Sequence, residues 1–173
     1  MQDPALLAEA CSDLLKLAVR AGVDPKNINW VVGPAFGAIT IAYELARRIF
    51  YLHERSCFSG YCEKVGEDPE RRMIFTRVSF QPDEVVLPCE DVITSARSAL
   101  LMTDAAKAQN ASVLPFLLAL VNRSGITNAG EMKIISLINH PLSDWQPEEC
   151  PLCRDGSEAV RAKYDWHRLT AKM

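Results

Sequence analysis

Two adjacent acids, Glu90 and Asp91, end an apolar run, Val85-Val86-Leu87-Pro88-Cys89, and are the residues of this chain best placed to do chemistry. The run suits a buried strand between covering helices. Hydroxyl residues follow the acids in Thr94-Ser95-Ala96-Arg97-Ser98, and from Ala99 the pattern turns helical. In an open α/β sheet, ligands gather at the carboxyl ends of the strands, where N–H groups at a helix start can face a phosphate. Strand, acid pair, hydroxyl loop and helix, in that order, describe a site for a phosphorylated sugar. The carboxylates would hold ribose hydroxyls, and the loop would hold the phosphate.

Such a site needs a sheet to carry it. Asp3-Pro4 opens a helix, with the acid as cap and the proline in the first turn. Leu6, Leu7, Ala10, Leu14, Leu17 and Ala18 then recur at helical spacing as far as Gly22. Residues 29–32 read as a short strand, followed by the turn Gly33-Pro34-Ala35-Phe36-Gly37-Ala38 and a helix through Ile41, Leu45, Ala46 and Ile49. That is the first half of a βαβ unit. Residues 50–55 read as another strand and 56–72 as a long polar loop containing Gly60, Gly66 and Pro69. Residues 73–80 alternate as a strand that would complete a flap with that loop. Beyond the acid pair, residues 99–109 read as a helix, 111–121 as an apolar strand and 131–139 as an edge strand.

Composition narrows the classes. The chain has 173 residues, 49% of them hydrophobic and 24% charged, as in an ordinary globular domain. A net charge of −3 gives no general electrostatic reason to bind nucleic acid. No apolar run is long enough to span a bilayer, and the start lacks a basic region followed by an apolar one. The expectation is a cytoplasmic protein without a membrane partner. The six cysteines then read as thiols rather than a disulfide framework.

The acid-pair stretch resembles the phosphoribosyl diphosphate (PRPP) motif of type I phosphoribosyltransferases: apolar residues, two acids, then a Thr/Gly-rich phosphate loop. Glu90 and Asp91 match the acids, and residues 94–98 match the loop. Ala96 and Arg97 stand where members commonly carry two glycines. A glycine tolerates left-handed backbone angles that cost another residue roughly 1–2 kcal/mol. Arg97 can instead offer a charge-assisted bond to the phosphate.

Further segments resemble orotate phosphoribosyltransferases. Residues 31–39 are similar to their pyrophosphate-contacting loop, which implies a substrate-binding role for Gly33, Pro34, Ala35, Phe36 and Gly37. Glu54-Arg55 resembles a short acidic-basic pair, which implies that Arg55 meets the pyrophosphate; a solvated arginine at a strand end is the other reading. The family's mobile loop supplies a basic residue, a role that falls to Lys64. Asn122-Arg123-Ser124-Gly125 resembles an acid-Arg-x-x-Gly segment, so Arg123 would pair with the orotate carboxylate through two parallel bonds. The tail Cys150-Pro151-Leu152-Cys153 resembles the carboxyl end of a subset of these enzymes. With Cys57 and Cys62 it could complete a four-thiolate zinc site.

The resemblance implies one α/β domain over residues 1–173 with the Rossmann-like type I phosphoribosyltransferase fold. Its parts would be a central, mainly parallel sheet, helices on both faces and a flexible flap. The chain starts almost at the helix before the first strand, so the family's amino-terminal hood is expected to be reduced or absent. The implied activity is that of a pentosyltransferase of pyrimidine biosynthesis. It would move the phosphoribosyl group from PRPP to a nitrogenous base, orotate first, releasing pyrophosphate with Mg²⁺. Asp91, Glu90 and Lys64 would be its catalytic residues, and the assembly would be a homodimer. A binding or regulatory protein that kept the fold without turnover is the alternative. An unrelated nucleotide-binding domain would lack both its Walker-type loop and its G-x-G-x-x-G.

Overall fold

Asp3 opens the chain's first helix as its residue type predicts. Its carboxylate accepts from Ala5 N–H at 2.8 Å and Leu6 N–H at 3.2 Å, and Pro4 fills the first position of α1 (Pro4–Arg20). The computed structural model describes residues 3–66, 69–146, 148–158, 160 and 162–171. Contacts divide the chain into two compact units, Met1–Leu142 and Ser143–Met173, where the sequence reading has a single domain.

In the larger unit, β1 (Trp30–Pro34) leads into α2 (Ile39–His53), followed by β2 (Phe58–Val65) and the short β3 (Arg72–Ile74). Next come β4 (Val85–Ile93), α3 (Arg97–Lys107), β5 (Ser112–Val113), β6 (Phe116–Asn122), β7 (Asn128–Ala129) and β8 (Met132–Asn139). The sheet runs β3-β2-β1-β4-β6-β8-β7, with β5 also pairing with β4. The β1–β2, β1–β4, β4–β6 and β6–β8 pairs are parallel, and the hairpin pairs β2–β3 and β7–β8 are antiparallel.

Alternate strand residues enter opposite cores. Val31, Leu87 and Leu118 pack with Leu14 of α1 and Ile41, Leu45 and Ile49 of α2. Val32 and Val86 pack with Met102 and Ala106 of α3, while Leu117 and Ala119 meet Ala99 of the same helix. Helices therefore cover both faces, and burying each large aliphatic side chain contributes about 1.5–3 kcal/mol.

Four sequence expectations need correction. Residues 50–53 finish α2 instead of forming a strand, because the helical spacing of Leu45 and Ile49 continues to the Glu54 cap at φ 49°. The polar stretch 56–72 holds β2, whose residues pair with β1 on one side and β3 on the other. Of the expected 73–80 strand only Met73 and Ile74 pair, together with Arg72 before them. The apolar stretch 111–121 divides into β5 and β6, with Leu114 and Pro115 between them.

The second unit contains α4 (Pro151–Arg154) and α5 (Ala162–Thr170), and an Arg168–Glu158 ion pair at 2.9 Å lies within it. Among the described residues, no helix is long and apolar enough to cross a membrane.

Candidate functional site

Parallel pairing brings the carboxyl ends of β1, β4 and β6 to one side of the sheet, so the turns that follow them share a mouth. Gly33 and Gly37 shape the first turn by having no side chain. A Cβ on Gly33 would stand 2.4 Å from the Ala38 Cβ and 3.0 Å from the Cys89 carbonyl oxygen. A Cβ on Gly37 would stand 1.9 Å from the Asp91 carboxylate. The acid pair and the glycine turn, more than fifty residues apart in sequence, are therefore in direct contact. Pro34 is buried at the end of β1, Ala35 is half-buried and Phe36 stands in solvent, 86% exposed. The Ala35–Phe36 peptide is cis.

The acids lie within β4, which continues to Ile93, and they differ sharply in environment. Asp91 is half-buried, and one of its oxygens accepts from Val92 N–H at 2.8 Å. Glu90 is only 7% exposed, and its Oε2 is buried without a hydrogen-bond partner in the structure. Burial, with the neighbouring Asp91 charge second, pushes the Glu90 carboxyl up to about 8. Near neutral pH Glu90 thus keeps its proton.

The loop after β4 turns into α3 through Ala96, which holds φ 57° and ψ 8°, the left-handed conformation, without a side-chain cap on the helix. Alanine holds here a bend that glycine adopts without strain. Thr94, Ser95 and Arg97 are exposed around it, and Ser98 is half-buried. The first-turn N–H groups of α3 start at this point, the usual geometry for receiving a phosphate.

After β6, Arg123 N–H donates to the Ile93 carbonyl at 3.0 Å, which ties the third turn to the end of β4. Asn122 builds that turn. Its Nδ2 donates to the Ile126 carbonyl at 2.8 Å, while its Oδ1 accepts from Ser124 N–H at 3.0 Å and Ser124 Oγ at 2.6 Å. Sequence reading missed this role; the signal was the Asn-x-Ser spacing of a side-chain-stabilised turn. It also missed Cys89, whose backbone and sulfur form the floor under Gly33.

Lys64 lies on β2 opposite Met73, not in a loop. Because Cys62 is level with Pro34, residues 63–65 extend past the end of β1 on the side of the mouth. Arg55 is elsewhere. It precedes β2 and donates to the carbonyl of Lys26, which precedes β1, so it sits at the amino ends of the parallel strands. The pyrophosphate role expected for Arg55 does not fit that position.

The expected zinc set is not assembled either. Cys57 packs against the α1–α2 core and Cys62 lies in the α3 core, so the sheet separates the two thiols. Burial pushes each up to about 12, the reverse of what a metal-binding thiolate needs. Among the described residues, no group of three or more His, Cys, Asp or Glu is placed to hold a metal ion.

No family model matches the chain. Curated relatives do. The orotate phosphoribosyltransferase of Heliobacterium modesticaldum is 32% identical over 155 residues, 88% of this chain and 74% of that protein. That of Caldicellulosiruptor bescii is 32% identical over 161 residues, 93% of this chain and 77% of that protein. Among solved structures, orotate phosphoribosyltransferase from Aeropyrum pernix superposes with a TM-score of 0.58 at 23% identity, covering 79% of this chain and 73% of that one. Adenine phosphoribosyltransferase from Thermoanaerobacter pseudethanolicus gives 0.61 at 14% identity, covering 80% and 83%. The structural likeness establishes the type I phosphoribosyltransferase fold. With the sequence relatives, it follows that the chain belongs to the orotate phosphoribosyltransferase family of pentosyltransferases.

Proposed function

We propose that this phosphoribosyltransferase moves the phosphoribosyl group from PRPP to a nitrogenous base, orotate first, and releases pyrophosphate. The observation that carries the reading is the contact between Asp91 and Gly37, which joins the acid pair to the glycine turn in one mouth. PRPP would lie across the ends of β1 and β4. Its 5-phosphate would face residues 94–98 and the first turn of α3, and its diphosphate would follow residues 33–37.

Asp91 would hold ribose hydroxyls and stabilise the positive charge that grows on the sugar as pyrophosphate leaves. Glu90, protonated near neutrality, would hydrogen-bond the same ribose as a neutral group. Lys64 would meet the departing diphosphate, Arg97 the 5-phosphate and Arg123 the base carboxylate. An accompanying Mg²⁺ would meet the Asp91 carboxylate at the mouth, with its other oxygens coming from the diphosphate. Bound to the diphosphate, the ion would supply charge neutralisation.

The left-handed bend at Ala96 supports turnover over the binding-only alternative, because the loop keeps its shape without glycine. Exposed Tyr43 and Tyr51 on α2 support the homodimer, which sedimentation would check.

Calorimetric titration with PRPP, with and without Mg²⁺, followed by pyrophosphate release with orotate, tests the reading. Magnesium-dependent binding and orotate-dependent release are expected. Asp91→Asn should weaken both while leaving the fold intact; a variant that binds PRPP like the wild type removes the role given to Asp91. Failure of the wild-type protein to bind at millimolar PRPP defeats the reading as a whole.

A further inference from the structure

The segment Cys150-Pro151-Leu152-Cys153 belongs to the Ser143–Met173 unit, and the residues assigned to the transfer belong to the other. Cys150 caps α4 and Pro151 is its first residue, where a missing N–H leaves no bond unmade. The turn closes through Arg154 N–H to the Cys150 carbonyl at 3.1 Å and Asp155 N–H to the Pro151 carbonyl at 3.0 Å. Gly156, at φ 77°, follows it.

Residues three apart on such a turn share a face. Hydrogen bonding from the Cys153 backbone holds the Cys150 thiol below its ordinary value. Two cysteines three residues apart across one closed turn lie within the span a disulfide can bridge once the side chains rotate. Access singles out Cys153, which is exposed; Cys150 and Cys57 are half-buried, whereas Cys11, Cys62 and Cys89 are buried in the cores.

We propose that Cys150 and Cys153 form a redox-active pair that closes to a reversible intramolecular disulfide by exchange with a low-molecular-weight disulfide. The Cys150 thiolate attacks one sulfur of the incoming disulfide. The reagent's S–S bond breaks, one thiolate leaves, and a mixed disulfide remains on Cys150. The Cys153 thiol then gives its proton to solvent and attacks the Cys150 sulfur, expelling the second thiolate. The pair is oxidised by two electrons and the reagent is reduced to two thiols, with no further reactant. The bond would fasten the first turn of α4 across Pro151 and Leu152.

The test uses the full chain, reduced, exposed to oxidised glutathione, alkylated and mapped by mass spectrometry. A Cys150–Cys153 cross-link that dithiothreitol reverses is expected. Cys153→Ser should trap glutathione on Cys150, and Cys150→Ser should form no cross-link within the segment. Stable glutathione on the wild-type pair without a cross-link overturns the proposal, as does a pair that stays fully open to alkylation. Metal analysis of the same sample adds a third arm, because zinc held by these two sulfurs, with exchange blocked, also overturns it. Pyrophosphate release measured alongside is a separate readout, so failure of the thiol pair and failure of the transfer reading remain distinguishable.

Discussion

The two loops that form the mouth make room for a phosphorylated ligand in opposite ways. Between β1 and α2, space comes from absent side chains: Gly33 lies on the Cys89 backbone and Gly37 lies under the Asp91 carboxylate. Between β4 and α3, a side chain is present and the backbone yields, since Ala96 takes up the left-handed conformation while its methyl is buried. The first loop is limited by volume and the second by torsion. Substitutions that look alike on paper should therefore act differently at each.

Within the first loop the two glycines should separate function from stability. At Gly37 an added methyl meets the tip of a side chain, and Asp91 can swing away. We expect Gly37→Ala to fold normally and to lose about 10²-fold or more in kcat/KM for pyrophosphate release, because the displaced acid no longer meets the ribose. At Gly33 the methyl meets backbone and the Ala38 Cβ, neither of which can rotate clear. Gly33→Ala should lower unfolding free energy by about 1–3 kcal/mol in urea titrations. If Gly37→Ala retains full turnover, the contact with Asp91 has no bearing on catalysis.

The adjacent acids sharpen the same comparison electrostatically. Glu90 has a folded-state value of about 8 against an ordinary value of 4.5, so the folded chain binds its proton more tightly than the unfolded chain does. Its contribution to stability is complete below the ordinary value and is lost as pH rises through about 8. The slope between those limits should be at most about 1.4 kcal/mol per pH unit. Glu90→Gln, which keeps the shape and cannot ionise, should flatten that slope in denaturant titrations across the range. An unchanged slope would mean that Glu90 is solvated when folded.

Torsion and volume compete at Ala96. Glycine there would relieve roughly 1–2 kcal/mol of left-handed strain. It would also give up a buried methyl worth about 0.8 kcal/mol and add about 0.5–1 kcal/mol of unfolded-chain freedom. The terms nearly cancel, so Ala96→Gly should stay within about 0.5 kcal/mol of the parent. Ala106→Gly, in the last turn of the same α3 and equally buried, has no strain to relieve. It should lose about 1–2 kcal/mol from propensity and the methyl together. Equal losses at both positions would refute the strain at Ala96.

What was legible in the sequence followed from local chemistry. The Asp3 cap, the α1 stripe and the acid-pair strand each depend on residue type at fixed spacing; the first two formed where the pattern placed them, and the strand runs past the acids to Ile93. The failures came where tertiary packing decided. Phe50, Tyr51 and Leu52 look like a strand by propensity, but they are the largely exposed last turn of a helix that Leu45 and Ile49 anchor. β2 carries Gly60, Glu63 and Lys64 and has no clean alternation, yet pairing with β1 and β3 holds it as a strand. The contact of Gly37 with Asp91 is a fact of sheet topology, which no local pattern records.

Arg55 and Lys64 give the smallest expected effect and the cleanest control on that topology. Both are exposed cations near β2, but Arg55 comes before the strand and Lys64 near its end. A five-residue parallel strand such as β1 spans roughly 16 Å, which separates the Arg55 anchor on Lys26 from the mouth by more than an arginine can reach. Arg55→Ala should therefore leave kcat/KM within about twofold of the parent and lower stability by no more than about 1 kcal/mol, the usual worth of one exposed hydrogen bond. Lys64→Ala should raise the KM for PRPP and steepen its dependence on Mg²⁺, because a cation has been taken from the carboxyl end. A tenfold loss on removing Arg55, with Lys64 neutral, would place the pyrophosphate at the wrong end of the sheet and sink the assignment of the mouth.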